Sequence, residues 1–109
     1  MAYDEGLAER LREFFRDHPD VSEKKMFGGL AFMLSGNMCC GIVNDTLMAR
    51  VGPAQYKNAL ARPCARLMDF TGKPMKGFVF VAPSGIESDQ GLKSRVTLCE
   101  RFVATLPPK

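Results

Sequence analysis

Tryptophan is absent from the 109 residues, histidine occurs once (His18) and tyrosine twice. With a single imidazole, a Ser–His or Cys–His nucleophile pair would have to form around a residue beside Pro19, at the end of a helical pattern. Terminating the helix and meeting its negative dipole end is the ordinary role there. The four cysteines contain no C-x-x-C pair, so a tetrahedral zinc site would need scattered ligands. Gly28-Gly29 belongs to neither a G-x-x-x-x-G-K nor a G-x-G-x-x-G phosphate loop. No run approaches the ~20 consecutive apolar residues of a membrane span. The acidic start, MAYDEGLAER, lacks the basic end and apolar run of a signal peptide. These absences give the expectation of no enzyme, no metal, no cofactor and no membrane, with reduced thiols in a cytoplasmic protein.

The length suits one domain, residues 1–109, and excludes a dinucleotide-binding pair of domains or a TIM barrel. At 46% hydrophobic and 25% charged residues the composition is that of a folded globular chain. The net charge of +3 is modest, but its distribution is uneven. Residues 1–23 sum to −4, whereas 46–86 carry Arg50, Lys57, Arg62, Arg66, Lys73 and Lys76 against Asp69 alone. A basic middle segment of this kind could draw phosphate or an acidic partner, or simply keep the surface solvated.

The periodicity predicts eight elements. Leu7, Leu11, Phe14 and His18 recur at helical spacing, with Asp4 as N-cap and Pro19 as the stop. Three strands follow, Lys25 to Leu34, Met38 to Asn44 and Thr46 to Val51, joined by turns at Ser35-Gly36-Asn37 and Asn44-Asp45. Pro53 opens a short helix that ends near Arg62-Pro63. Strands at Arg66 to Phe70 and Met75 to Ala82 flank a turn at Thr71-Gly72-Lys73-Pro74. A last helix, Ser88 to Leu106, carries the seam Leu92, Val96, Cys99, Val103 and Leu106. The fold class is therefore α+β and two-layered, an antiparallel five-stranded sheet with helices in the order α-β-β-β-α-β-β-α.

Both faces of that sheet read as apolar. Met26, Leu30, Phe32 and Leu34 oppose Phe27, Ala31 and Met33, and Val79 and Val81 oppose Phe78 and Phe80. A sheet with helices on one side should alternate apolar with polar, so the expectation is that a homodimer or protein partner covers the second face; the alternative is a curved sheet whose second face is covered by a helix or by loops. Adjacent Cys39 and Cys40, lying mid-strand, should point to opposite faces. The glycines at 28 and 29 should mark a bulge, a bend or a close backbone approach within the first strand. The segment from Phe70 to Phe78, with Lys73 and Lys76 between two aromatics, is either a basic loop beside a stacking surface or a turn flanked by core phenylalanines.

Four stretches taken together carry a family resemblance. They are EKKMFGGLAF at 23–32, Gly36-Asn37-Met38 with Cys40-Gly41, Ala49-Arg50-Val51-Gly52, and MDFTGKPMKG at 68–77. From Tyr3 to Pro108 the chain resembles the N-terminal domain of the TfoX/Sxy family, which includes regulators of natural competence in bacteria. The resemblance implies an α/β two-layer domain without catalytic residues, here in a standalone version lacking the second, C-terminal helical domain. Cys39 departs from the pattern, standing where a larger apolar residue is expected. The resulting expectation is a regulatory, protein-interaction domain acting in transcription. Its candidate interaction surface is Arg50, Asp69, Lys73, Lys76, Phe27 and Phe78. The alternative is direct nucleic-acid binding through the basic surface of residues 46–86.

Overall fold

The computed structural model describes residues 3–26, 28–69 and 74–108, and gives backbone alone at Met26, 67–69 and 74–76. Helix α1 spans Glu5–Phe14; Asp4 caps it by accepting from the Leu7 N–H at 3.2 Å, and Glu5 sits at the positive end of the dipole. It buries Leu7, Ala8 and Leu11, the positions the helical spacing selects. It stops short of Pro19, with Phe15 closing the last turn. Then come β1 (Val21–Met26), β2 (Gly29–Leu34), β3 (Asn37–Val43), β4 (Thr46–Arg50), α2 (Tyr56–Ala61), β5 (Ala65–Asp69), β6 (Pro74–Val81) and α3 (Asp89–Val103). Ser88 caps α3 through the Gly91 N–H at 3.0 Å.

The strands form one antiparallel sheet in the order β1-β2-β3-β4-β6-β5. It has six strands among the described residues, one more than the sequence reading gives. The stretch taken as a single strand from Lys25 is two. Lys25 pairs with Leu30 and Met26 with Gly29, so the chain reverses between them, and Gly28 takes the left-handed φ of 72° that such a reversal favours. Gly28 is thus a turn residue and not a bulge. Gly29 is the close approach, since a Cβ there would collide with the Ile42 carbonyl. The next hairpin follows the sequence: Leu34 pairs with Asn37, and Ser35 and Gly36 both take positive φ, the two-residue primed turn that suits twisted strands. Helix α2 begins at Tyr56 rather than Pro53, because 53–55 form a turn.

A bulge overturns the expectation for the paired cysteines. Phe32 pairs with Cys40 but Met33 with Met38, so Cys39 is an extra residue in β3. The extra residue resets the alternation, and both thiols belong to the same buried core. That core lies between the sheet and the helices. Leu7, Ala8, Leu11 and Phe15 enter it from α1 and its end, Ala59 from α2, and Leu92, Val96, Cys99 and Val103 from α3. The strands contribute Leu30, Phe32, Ile42, Leu47, Ala49, Val79 and Val81. Each fully buried Leu, Ile or Phe side chain is worth roughly 1.5–3 kcal/mol over its exposed state. A bidentate pair, Arg12 Nε and Nη2 to Glu23 at 2.9 and 3.0 Å, ties α1 to β1 on this same side. All the described helices therefore stand on one face of the sheet.

Candidate interaction surface

The face opposite the helices carries its own smaller apolar cluster. Met48 and Phe80 are buried at its centre, with Met38, Val43 and Phe78 half-buried around them. No residue of α1, α2 or α3 belongs to it. Cross-strand pairing explains its composition. One rung runs across the whole sheet: Lys24 pairs with Ala31, Ala31 with Gly41, Gly41 with Met48, Met48 with Phe80 and Phe80 with Arg66. The middle of the rung is small at Ala31 and Gly41, and Met48 folds into that space. Its Cε stands 2.7 Å from where a Cβ on Gly41 would lie. Both ends of the rung are basic.

The two arginines on this side sit against aromatic rings. Arg66, exposed on β5, holds its guanidinium carbon 4.7 Å from the Phe80 ring centroid. Arg50, at the end of β4, lies 5.5 Å from Phe78, its cross-strand partner, and 5.6 Å from Phe102 of α3. Its Nη1 donates to the Met38 carbonyl at 3.2 Å. Neither arginine has a carboxylate partner among the described residues.

Of the residues expected at the site, Arg50 and Phe78 are brought together as neighbours. Phe27 and Lys73 lie outside the described residues, as do Phe70 and the first three residues of the expected Thr71-Gly72-Lys73-Pro74 turn, whose Pro74 begins β6; the side chains of Asp69 and Lys76 are not described. The basic middle segment is divided between faces. Arg66 and Arg50 join the apolar cluster, while Lys57 is exposed on α2 and Arg62, just past that helix, donates to Ser94 Oγ of α3 at 2.7 Å. Lys24, Met38, Val43 and Met48 join the surface without being among the residues the sequence predicts for it. Alternation within MCCGIV and TLMAR would have flagged Met48, but β1 had to be recognised before Lys24 could be placed.

Other chemistry-bearing groups are arranged for structure. Cys39, Cys40 and Cys99 meet in the core. A hydrogen bond with Cys39, and then burial, push the Cys40 thiol well above its ordinary pKa. Burial does the same to Cys99, which donates to the Arg95 carbonyl at 3.4 Å. Such thiols stay protonated and unreactive. Cys64, with φ of 68°, is exposed beside Ser84 at 3.0 Å. Arg95 is 7% exposed and donates to the Pro63 carbonyl at 2.7 Å; burial, then the charge of Arg62, lower its pKa. His18 lies past the end of α1, its Nε2 at 3.8 Å from Glu100 of α3. A cleft of about 350 Å³ between α1 and α3 is open and lined by Glu9, Arg10, Phe14, Asp89, Leu92 and Lys93 among others. No group of His, Cys, Asp or Glu among the described residues is placed to hold a metal ion. No described helix is long and apolar enough to cross a membrane.

The fold and this surface define a mixed α+β domain with an open antiparallel sheet, helical on one side and apolar with basic flanks on the other. The chain belongs to the TfoX N-terminal domain family, whose model matches residues 13–103. This is a regulatory type of domain and not a known enzyme family. No curated protein and no solved structure gives a significant match.

Proposed function

We propose that this chain is a non-enzymatic, competence-regulator-like domain that works in the cytoplasm by holding another protein molecule against the helix-free face of its sheet. The observation that carries the reading is the half-buried set Met38, Val43 and Phe78 around the buried Met48 and Phe80, a cluster to which no described helix contributes. Apolar side chains gathered on one surface gain free energy when a partner removes them from water. A second copy of the chain and a different protein both satisfy this reading. The test is retention of a partner by the wild-type chain and by Met38→Glu, with Lys57→Glu on the helical side as control and circular dichroism to verify folding. Loss with Met38→Glu alone supports the reading; equal retention by all three overturns it.

A second reading, direct nucleic-acid binding, is favoured by one observation: Arg50 and Arg66 lie over aromatic rings on the same side of the sheet. Phosphate contacts weaken steeply with salt, so retardation of labelled DNA and RNA across a salt series tests it. Absence of a shifted band at low salt ends this reading.

A further inference from the structure

We infer that the occupant of the helix-free face is an acidic amphipathic helix of another protein, and neither a second copy of this chain nor a nucleic acid. The inference rests on the docking reading above and adds the chemistry of the partner. Charge decides first. The described residues on this face and its ends include Lys24, Arg50 and Arg66, and the paired positions Ala31, Met33, Gly41, Val43, Thr46, Met48, Phe78 and Phe80 hold no Asp or Glu. A two-fold pairing would lay Lys24, Arg50 and Arg66 against their own copies, and the carboxylate described at the margin of this set, Asp45, sits in the β3–β4 turn, where it accepts from Thr46 Oγ1.

Aromatic access decides next. Single-stranded nucleic acid gains affinity by stacking bases on free ring faces. Phe80 is only 8% exposed and Arg66 stands over it, while Arg50 stands beside Phe78. The apolar contact area that stays accessible is that of the half-buried Met33, Met38 and Val43, which suits Leu and Phe side chains. Methionine thioethers adapt their shape to such a partner.

Size agrees. The cluster spans β3, β4 and β6, two interstrand spacings of about 4.8 Å each, and so about the 10 Å width of a helix. Lys24 on β1 and Arg66 on β5 stand at opposite ends of the rung, so cations are offered to carboxylates on both flanks of the helix's apolar stripe, and Arg66 brings a planar fork.

The test titrates the full chain with three probes. The first is a synthetic helix of about four turns with Leu and Phe along one stripe and Glu on both flanks. The second replaces every Glu with Gln, and the third is an oligothymidylate of similar length. Sedimentation of the chain alone reports self-association. The expected result is that the acidic helix binds about tenfold tighter than the neutral one at low salt. Arg66→Gln and Lys24→Gln should each weaken it, the double Arg50→Gln/Arg66→Gln should remove the preference, and Lys57→Gln should leave it unchanged. Equal binding of acidic and neutral helices overturns the inference and leaves the docking reading standing. Tighter binding of oligothymidylate, or a dimer abolished by Met38→Glu, overturns it in favour of that occupant. A strict monomer that binds none of the probes overturns the inference and removes the support for the docking reading.

Discussion

Arg66 holds its guanidinium 4.7 Å from the centroid of the Phe80 ring, its partner across the β5–β6 ladder. The guanidinium is one of the groups that leave this ring, on the helix-free face, only 8% exposed. Arg66→Ala should uncover Phe80 and cost about 0.5–1 kcal/mol, the value of an exposed cation–π pair. Urea denaturation checks the stability, and a rise in the fluorescence of a hydrophobic dye checks the uncovering.

Gly52 combines a φ of 84° with a neighbour that leaves no room, because the Phe102 ring occupies the space a Cβ would need. Its N–H and that of Val51 both donate to the Gly77 carbonyl, at 3.1 and 2.9 Å, so the backbone there is pinned. Gly52→Ala should destabilise by about 2–4 kcal/mol, combining left-handed strain with overpacking. Adding Phe102→Leu should recover part of that loss, which a double-mutant cycle in urea measures.

The four thiols should separate by burial. Cys64 is exposed, and Cys39, Cys40 and Cys99 are buried. An aromatic disulfide reagent should titrate one thiol quickly in the native chain, and all of them after denaturation. Cys64→Ser should abolish the fast phase with little change in stability.

Alkali should destabilise the fold through the same core. Cys40 and Cys99 have pKa values raised in the folded state, Cys40 by its hydrogen bond with the Cys39 thiol and then burial, and Cys99 chiefly by burial. An unfolded thiol ionises near pH 8.5, so above that pH the unfolded chain has lost protons that the folded chain keeps. Stability is therefore full below about pH 8.5 and falls as pH rises, by up to about 1.4 kcal/mol per pH unit for each thiol. Urea midpoints under reducing conditions from pH 8 to pH 10 check this, and Cys99→Ala should flatten the slope by about half relative to wild type.

Elements with a buried stripe were legible in the sequence, and those without one were not. The seam Leu92, Val96, Cys99 and Val103 located α3, and every one of those residues is buried. Ser35-Gly36 located the β2–β3 hairpin because two positive φ values in a row demand such residues. β1 escaped because Ser22, Glu23, Lys24 and Lys25 are all exposed and present no alternation to read. The Cys39 bulge escaped because it exists only in the pairing with β2, which periodicity along one chain does not contain. The surface was half legible for the same reason: its apolar residues alternate within strands, but the pairs Arg66 with Phe80 and Arg50 with Phe78 come from strand order.

The charged outer strand has a consequence for how these molecules can aggregate. A second sheet approaching in plane, to add itself to β1 by backbone pairing, would have to strip water from Lys24 and Lys25 and from the Arg12–Glu23 ion pair that precedes them. Strands with such borders resist fibril growth. Lateral polymerisation is thus discouraged at the β1 border, and the molecule can display greasy residues on its broad side while that border stays inert.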